Sequence, residues 1–242
     1  MMKNLVSKQS GFTLVELAIV LVIIGLLLGG ILKGQELINS ARVRNLADMN
    51  SGIQAAYYGF IDRYRQVPGD MAAALATQAI GQAIANPAAA VTVGNGQIDA
   101  GNWDEASAAW EQLSKAGFIQ GIYPGGATTA AAYAVAGVAP VNALNGTLIL
   151  ARNADYSGTA AVAQRLNLIM GNNIPVNIAR ELDVKVDDGQ PLTGVLRYTG
   201  VTPMTDFDPV SASTSVNCIT AAAPIIWDIA NDAQNCNLAF LY

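Results

Sequence analysis

The sequence predicts an α+β fold: a long N-terminal helix packed on an antiparallel β-sheet, with inserted helices and a C-terminal segment that holds both cysteines. Three observations carry this expectation. Residues 13–66 contain no proline, and their apolar residues recur at three- and four-residue intervals. The rest of the chain alternates short strand candidates, helix candidates and Gly/Pro/Asn turns, an order suited to α+β architecture. Cys218 and Cys236, the only two cysteines, lie near the C-terminus.

The long helix starts apolar. From Phe12 to Leu32 the sole charge is Glu16. At about 1.5 Å per residue this run just crosses a bilayer core of about 30 Å. A lone carboxylate in such a helix is expensive and demands a partner. Beyond Lys33 the pattern turns amphipathic, with Leu37, Ala41 or Val43, Leu46, Ile53, Tyr57, Phe60 or Ile61 and Tyr64 on one stripe. Both parts together make one helix about 80 Å long. Gly25–Gly29 and Gly30–Gly34 have small-xxx-small spacing, which permits close helix contact and costs helix propensity, about 1 kcal/mol per glycine. Val67-Pro68-Gly69 then ends the helix.

Downstream, residues 71–85 form an Ala-rich helix candidate, and 86–102 read as a loop. A helix is predicted from Trp103 to Lys115, with Trp103, Ala106, Trp110 and Leu113 on one face and Gly117 as its C-terminal stop. Its sharper alternative is an aromatic ligand platform. Ala132–Ala136 and Thr147–Ala151 are strand candidates, the second preceded by an Asn145-Gly146 turn. Residues 159–171 read as helix, Val176 to Val186 as an element opened by Pro175, Thr193–Tyr198 as a strand and 199–217 as a loop. Ile225-Ile226-Trp227 fits a short helix or an edge strand, and Cys236–Tyr242 a final strand. The stretch from Asp183 to Pro191 admits two readings. One is a calcium loop built from Asp183, Asp187 and Asp188, although it lacks the EF-hand spacing. The other is a capped turn.

Composition removes several function classes. The 242 residues include no histidine, which excludes Ser-His-Asp and Cys-His catalysis and the commonest metal ligand. Two cysteines are too few for a thiolate zinc site. Net charge is −5, so no basic nucleic-acid face is indicated. No Walker-type phosphate loop occurs, and no cofactor is expected.

The string Ser10-Gly11-Phe12-Thr13-Leu14-Val15-Glu16-Leu17 resembles the processing signal of type IV pilins and the pseudopilins of type II secretion. Tyr64…Pro68-Gly69-Asp70, Trp110-Glu111-Gln112-Leu113…Ala116-Gly117 and the Asp183–Gly194 string also resemble elements of pilin-like proteins. The resemblance implies a leader, residues 1–11, cut after Gly11 by a prepilin peptidase that also N-methylates Phe12. It implies a transmembrane and filament-core helix at 12–33, a spine helix at 34–66 and a globular domain at 67–242. Lys3 and Lys8 favour a cytoplasmic leader. The protein would then sit in the bacterial inner membrane before assembly, and afterwards in a pilus or pseudopilus with its domain periplasmic or extracellular.

Further expectations follow from the resemblance. Glu16 would meet the terminal amine of a neighbouring subunit, neutralising both charges in lipid; a charge merely tolerated near the interface is the alternative. Outside the cytoplasm, Cys218 and Cys236 would form a disulfide, stabilising by about 3 kcal/mol in the chain-entropy picture; two buried free thiols are the alternative. Expected partners are other pilin subunits, the prepilin peptidase and an inner-membrane assembly platform. The work would be adhesion, motility, DNA uptake or secretion, not catalysis. Many major pilins carry a helix-breaking proline where this chain has Lys33, so a minor, tip-located pilin or a secretion pseudopilin is the alternative to a repeating subunit.

Overall fold

The computed structural model describes residues 13–88, 93–154, 156, 164–199 and 218–242. Helix α1 runs Leu14–Tyr64 without a break. It is followed by α2 (Ala73–Ile80), α3 (Trp103–Lys115), α4 (Ala130–Tyr133), β1 (Ile149–Asn153), β2 (Arg165–Ile169), α5 (Val176–Val186), β3 (Leu196–Tyr198), a 3-10 turn (Ile229–Asn231) and β4 (Leu238–Leu241). The chain divides into two compact units, Met1–Ala41 and Arg42–Tyr242.

In the second unit, α1 buries Val43, Leu46, Ile53, Ala56, Tyr57 and Phe60, the face that the helical period singles out. Phe60 and Tyr64 meet Phe118 edge-on, with ring centroids 6.0 and 6.5 Å apart. Gly59 permits this approach, because a Cβ there would lie 2.9 Å from the Phe118 ring. The helix ends where Arg65 turns left-handed, at φ 56°, just before Pro68 enforces an extended backbone.

The four strands form one antiparallel sheet in the order β1-β2-β4-β3. The last strand of the chain is thus an interior one: Phe240 faces Leu168 of β2 and Leu196 of β3. Tyr242 then reaches α1, its hydroxyl donating to Asn50 Oδ1 at 2.9 Å. Inside the sheet, Asn153 and Asn167 are fully buried and satisfy one another, each amide donating to the other's oxygen at 3.2 and 2.9 Å. A one-residue slip would strand both amides, so the pair also fixes the β1–β2 register.

Two sequence expectations are corrected. Residues 165–169 are strand, not helix, because pairing on both sides, with β1 and β4, outweighs the propensity of an Ala/Leu-rich segment; residues 159–163 lie outside the described set. Ala132–Ala136 is no strand: α4 is a single helical turn capped by Thr129, whose hydroxyl accepts from the Ala132 amide at 3.2 Å. Smaller shifts have local causes. Helix α2 spans less than 71–85 because Gly81, at φ 78°, stops it. Trp227 makes only an isolated bridge to Ile219. Apart from Thr199, the 199–217 loop lies outside the described residues.

That turn of α4 places Tyr133 in the core. Its hydroxyl accepts from Trp110 Nε1 at 2.6 Å and donates to the Leu148 carbonyl at 2.8 Å, all buried. Tyr133→Phe leaves an indole N–H and a carbonyl without partners, at a cost of about 1–3 kcal/mol. Urea unfolding should show a lower midpoint with an unchanged slope.

Candidate functional site

The candidate site is the first turns of α1. Among the described residues this is the one helix long and apolar enough to cross a membrane, and none of its apolar window is buried. Its large apolar side chains from Leu14 to Leu32 are 46–86% exposed. Ala18 opens a shallow groove flanked by Val15, Ile19, Val22 and Ile23, with no polar group in its lining. A surface of this kind is stable only against lipid or other apolar helices.

Glu16 sits at the head of this surface. Its Oε2 accepts from the Thr13 amide and the Thr13 hydroxyl, both at 2.8 Å, and the Glu16 amide donates back to Thr13 Oγ1 at 3.3 Å. This is a capping box: Thr13 precedes the first helical residue, and Glu16 is the third inside it. The carboxylate also lies where the helix dipole favours negative charge. The Thr-x-x-Glu spacing that carries this box is legible in the sequence. Gly11 and Phe12 lie outside the described residues.

The cysteines form a disulfide, with Cα atoms 5.8 Å apart. It closes the segment that carries Trp227, whose indole donates to Asp183 Oδ2 at 2.7 Å. Asp183, Asp187 and Asp188 each offer a carboxylate oxygen within 4.8 Å of the others. Asp188 caps its own turn, accepting from the Gln190 amide at 2.8 Å and the Thr193 hydroxyl at 2.5 Å. Asp187 Oδ2 receives the Val195 amide and, at 2.8 Å, the Leu196 amide, so it starts β3. Burial pushes the Asp183 carboxyl up to about 6; the Trp227 hydrogen bond opposes this, and the charges of Asp188 and Asp187 add to it.

Helix α3 serves as a scaffold. Every residue from Asp104 to Leu113 is buried, because loops wrap the face opposite the predicted apolar one and its polar side chains hold them. Gln112 accepts from the Gly69 amide at 2.9 Å and donates to the Met71 and Asn86 carbonyls at 2.7 and 3.2 Å. Glu111 receives the Ala85 amide, Asn86 Nδ2 and Lys115 Nζ. Asp104 receives the Ala88 amide, and Glu105 the Asp99 amide. Gly69 is required at the Pro-Gly-Asp junction: φ is 89°, and a Cβ would lie 2.5 Å from the Glu105 carbonyl. Asp70, next to it, is buried and gathers the amides of Gly94, Asn95 and Gly96. The C-terminus of α3 closes with Gly117 N–H on Ser114 O and Phe118 N–H on Leu113 O, the Schellman pattern.

Residues 6–32 match the family described as the prokaryotic N-terminal methylation motif. No curated protein and no solved structure matches the chain. Motif and long apolar helix together match the signature of pilins and pseudopilins.

The buried carboxylate of Glu105 gives a test of the scaffold. Burial pushes its pKa from 4.5 up to about 7; the Asp99 hydrogen bond opposes this, while the charges of Asp99, Asp70 and Asp104 add to it. Between those two values the folded chain holds a proton that the unfolded chain has released, so stability falls as pH rises through that window. Asp183 contributes a slope of the same sign. Glu105→Gln removes the Glu105 share, so urea midpoints measured at several pH values should fall less steeply from acid to neutral in the variant than in the wild type.

Proposed function

We propose that this protein is a structural subunit of a type IV pilus or a related pseudopilus, with no catalytic role. The observation that carries the reading is the junction of a methylation motif with a 51-residue helix whose apolar half is bare. In this reading residues 1–11 are a leader cut by a prepilin peptidase, Phe12 becomes the methylated terminus, and 12–33 span the inner membrane before joining a filament core. The remainder, 34–66 as spine and 67–242 as globular domain, lies in the periplasm or outside the cell. An inner-membrane assembly platform loads the subunit.

Glu16 then has two jobs. The bonds to Thr13 both fall on Oε2, which leaves Oε1 to meet a neighbour's terminal amine without dismantling the cap. Thr13 lies beyond the proposed cut, so the capping box survives processing. Pairing of the two charges in lipid would set the register between subunits. A minor, tip-located subunit is the second reading, favoured by Lys33 in place of the proline of many major pilins. There Lys33 pairs with Glu36 at 2.6 Å, and the helix continues.

Glu16→Ala should sharply reduce surface filaments counted by electron microscopy, while the soluble domain keeps its melting temperature. An undiminished filament count would reject the role of Glu16. Mass spectrometry of purified filaments should find a chain that begins with methylated Phe12. A mature chain beginning at Met1, or cut beyond Leu32, would reject the processing scheme, and copy number would separate the repeating subunit from the tip subunit.

A further inference from the structure

We propose that residues 97–102 form a proton-operated strap, fastened over the edge of β1 and the start of α3 while Glu105 is protonated and loosened when Glu105 ionises. The strap is held at two points. Ile98 is fully buried, and its carbonyl accepts from the Arg152 amide at 2.9 Å. Because β1 is an end strand of the sheet, this bond covers part of a main-chain edge that could otherwise pair with another strand. The second point is the Asp99 amide, which donates to Glu105 Oε2 at 2.7 Å. The turn before the strap is pinned separately, by Asp70, which takes the Gly94, Asn95 and Gly96 amides at 2.5, 3.1 and 2.7 Å.

Glu105 is the weak fastening. It is fully buried, and while Oε2 holds the strap, Oε1 is buried with no hydrogen-bond partner. One hydrogen bond does not replace the hydration of a charge. The charges around it have the same sign: Asp99 from the strap, Asp70 from the junction after α1 and Asp104 from its own helix. Among the described residues, none of these four carboxylates belongs to an ion pair. From β1, Arg152 turns its Nη2 to the Gln164 carbonyl at 3.0 Å. From α1, Tyr57 stays neutral, because burial pushes its hydroxyl up to about 12. Loosening the strap lets water reach Glu105 and moves Asp99 away from it, so the ionised carboxylate favours the loosened form. The fastened form keeps its proton between 4.5 and about 7, so opening gains population as pH rises through that window and levels off above it. Opening uncovers Ile98 and frees the outward amide of Arg152. The strap lies wholly within the 42–242 unit and works whether or not the chain enters a filament.

Amide hydrogen exchange read by mass spectrometry tests this on full-length protein in detergent. Protection factors remove the intrinsic pH dependence of exchange. In the wild type, protection of 97–102 should fall by up to about tenfold per pH unit from about pH 5 to about pH 7, then level off. Global unfolding carries a slope of the same sign, so dilute urea separates the two. Exchange of the strap should be nearly independent of urea, as a local opening requires, while exchange of β2 and β4 accelerates with it. Glu105→Gln keeps the shape without the charge and should flatten the pH profile of 97–102. Asp99→Asn removes an opposing charge and should end the fall at a lower pH. The proposal is overturned if wild-type protection of 97–102 does not change with pH, if it follows β2 and β4 in urea, or if Glu105→Gln keeps the wild-type profile. Should Glu105→Gln fail to fold, Asp99→Asn decides: a profile displaced to lower pH supports the strap, and an undisplaced one rejects it.

Discussion

One constraint underlies the rest: the backbone of α1 must stay helical from Leu14 to Tyr64. In lipid, every backbone N–H and C=O needs a partner within its own segment, and only an unbroken helix supplies this. On the domain, the same helix must present a regular apolar face. The absence of proline from 13–66 serves both ends, and the Thr13–Glu16 box closes the N-terminus, where a helix leaves its first amides without partners. Glycines make the apolar half less rigid than alanines would, yet none of Gly25, Gly29, Gly30 and Gly34 is needed for contact within the chain, since nothing lies within 4 Å of a Cβ built there.

The soluble unit is organised around a buried polar helix as much as around its sheet. A helix docked only through Ala106, Trp110 and Leu113 would leave its polar face wet. In α3 that face is covered by irregular chain, and each polar residue caps a backbone group of the loop it covers. This explains how residues 66–88 and 93–102, rich in turns and poor in regular structure, remain attached. It also places ionisable groups, Asp104, Glu105 and Glu111, where water cannot reach them freely.

Legibility in the sequence followed the range of the interactions. Helix α3 was readable to its last residue because its determinants are local: Asn102 as N-cap, acidic residues in the first turn, Gly117 after the end. The bounds of α5, with its Pro175 start, were readable for the same reason, although the sequence left the type of that element open. By contrast, 165–169 looks helical residue by residue and becomes a strand only because two other strands flank it. The strand candidate at 132–136 gave way for a local reason, since Thr129 caps a helical turn there. At the candidate site, Glu16 stands out in the sequence as the lone charge of an apolar run, while its role in a Thr-x-x-Glu cap is a local property of the helix start.

By itself the sequence determined the long apolar run, the unbroken helix, the methylation motif and the cysteine pair, all properties of contiguous residues or of simple counts. Tertiary structure alone decided that the last strand lies inside the sheet, that Asn153 and Asn167 satisfy one another in the core, and that Asp183 meets both Trp227 and the acidic turn. Those outcomes join residues far apart in the chain. They depend on which buried groups find partners once the core closes, and no local propensity carries that information.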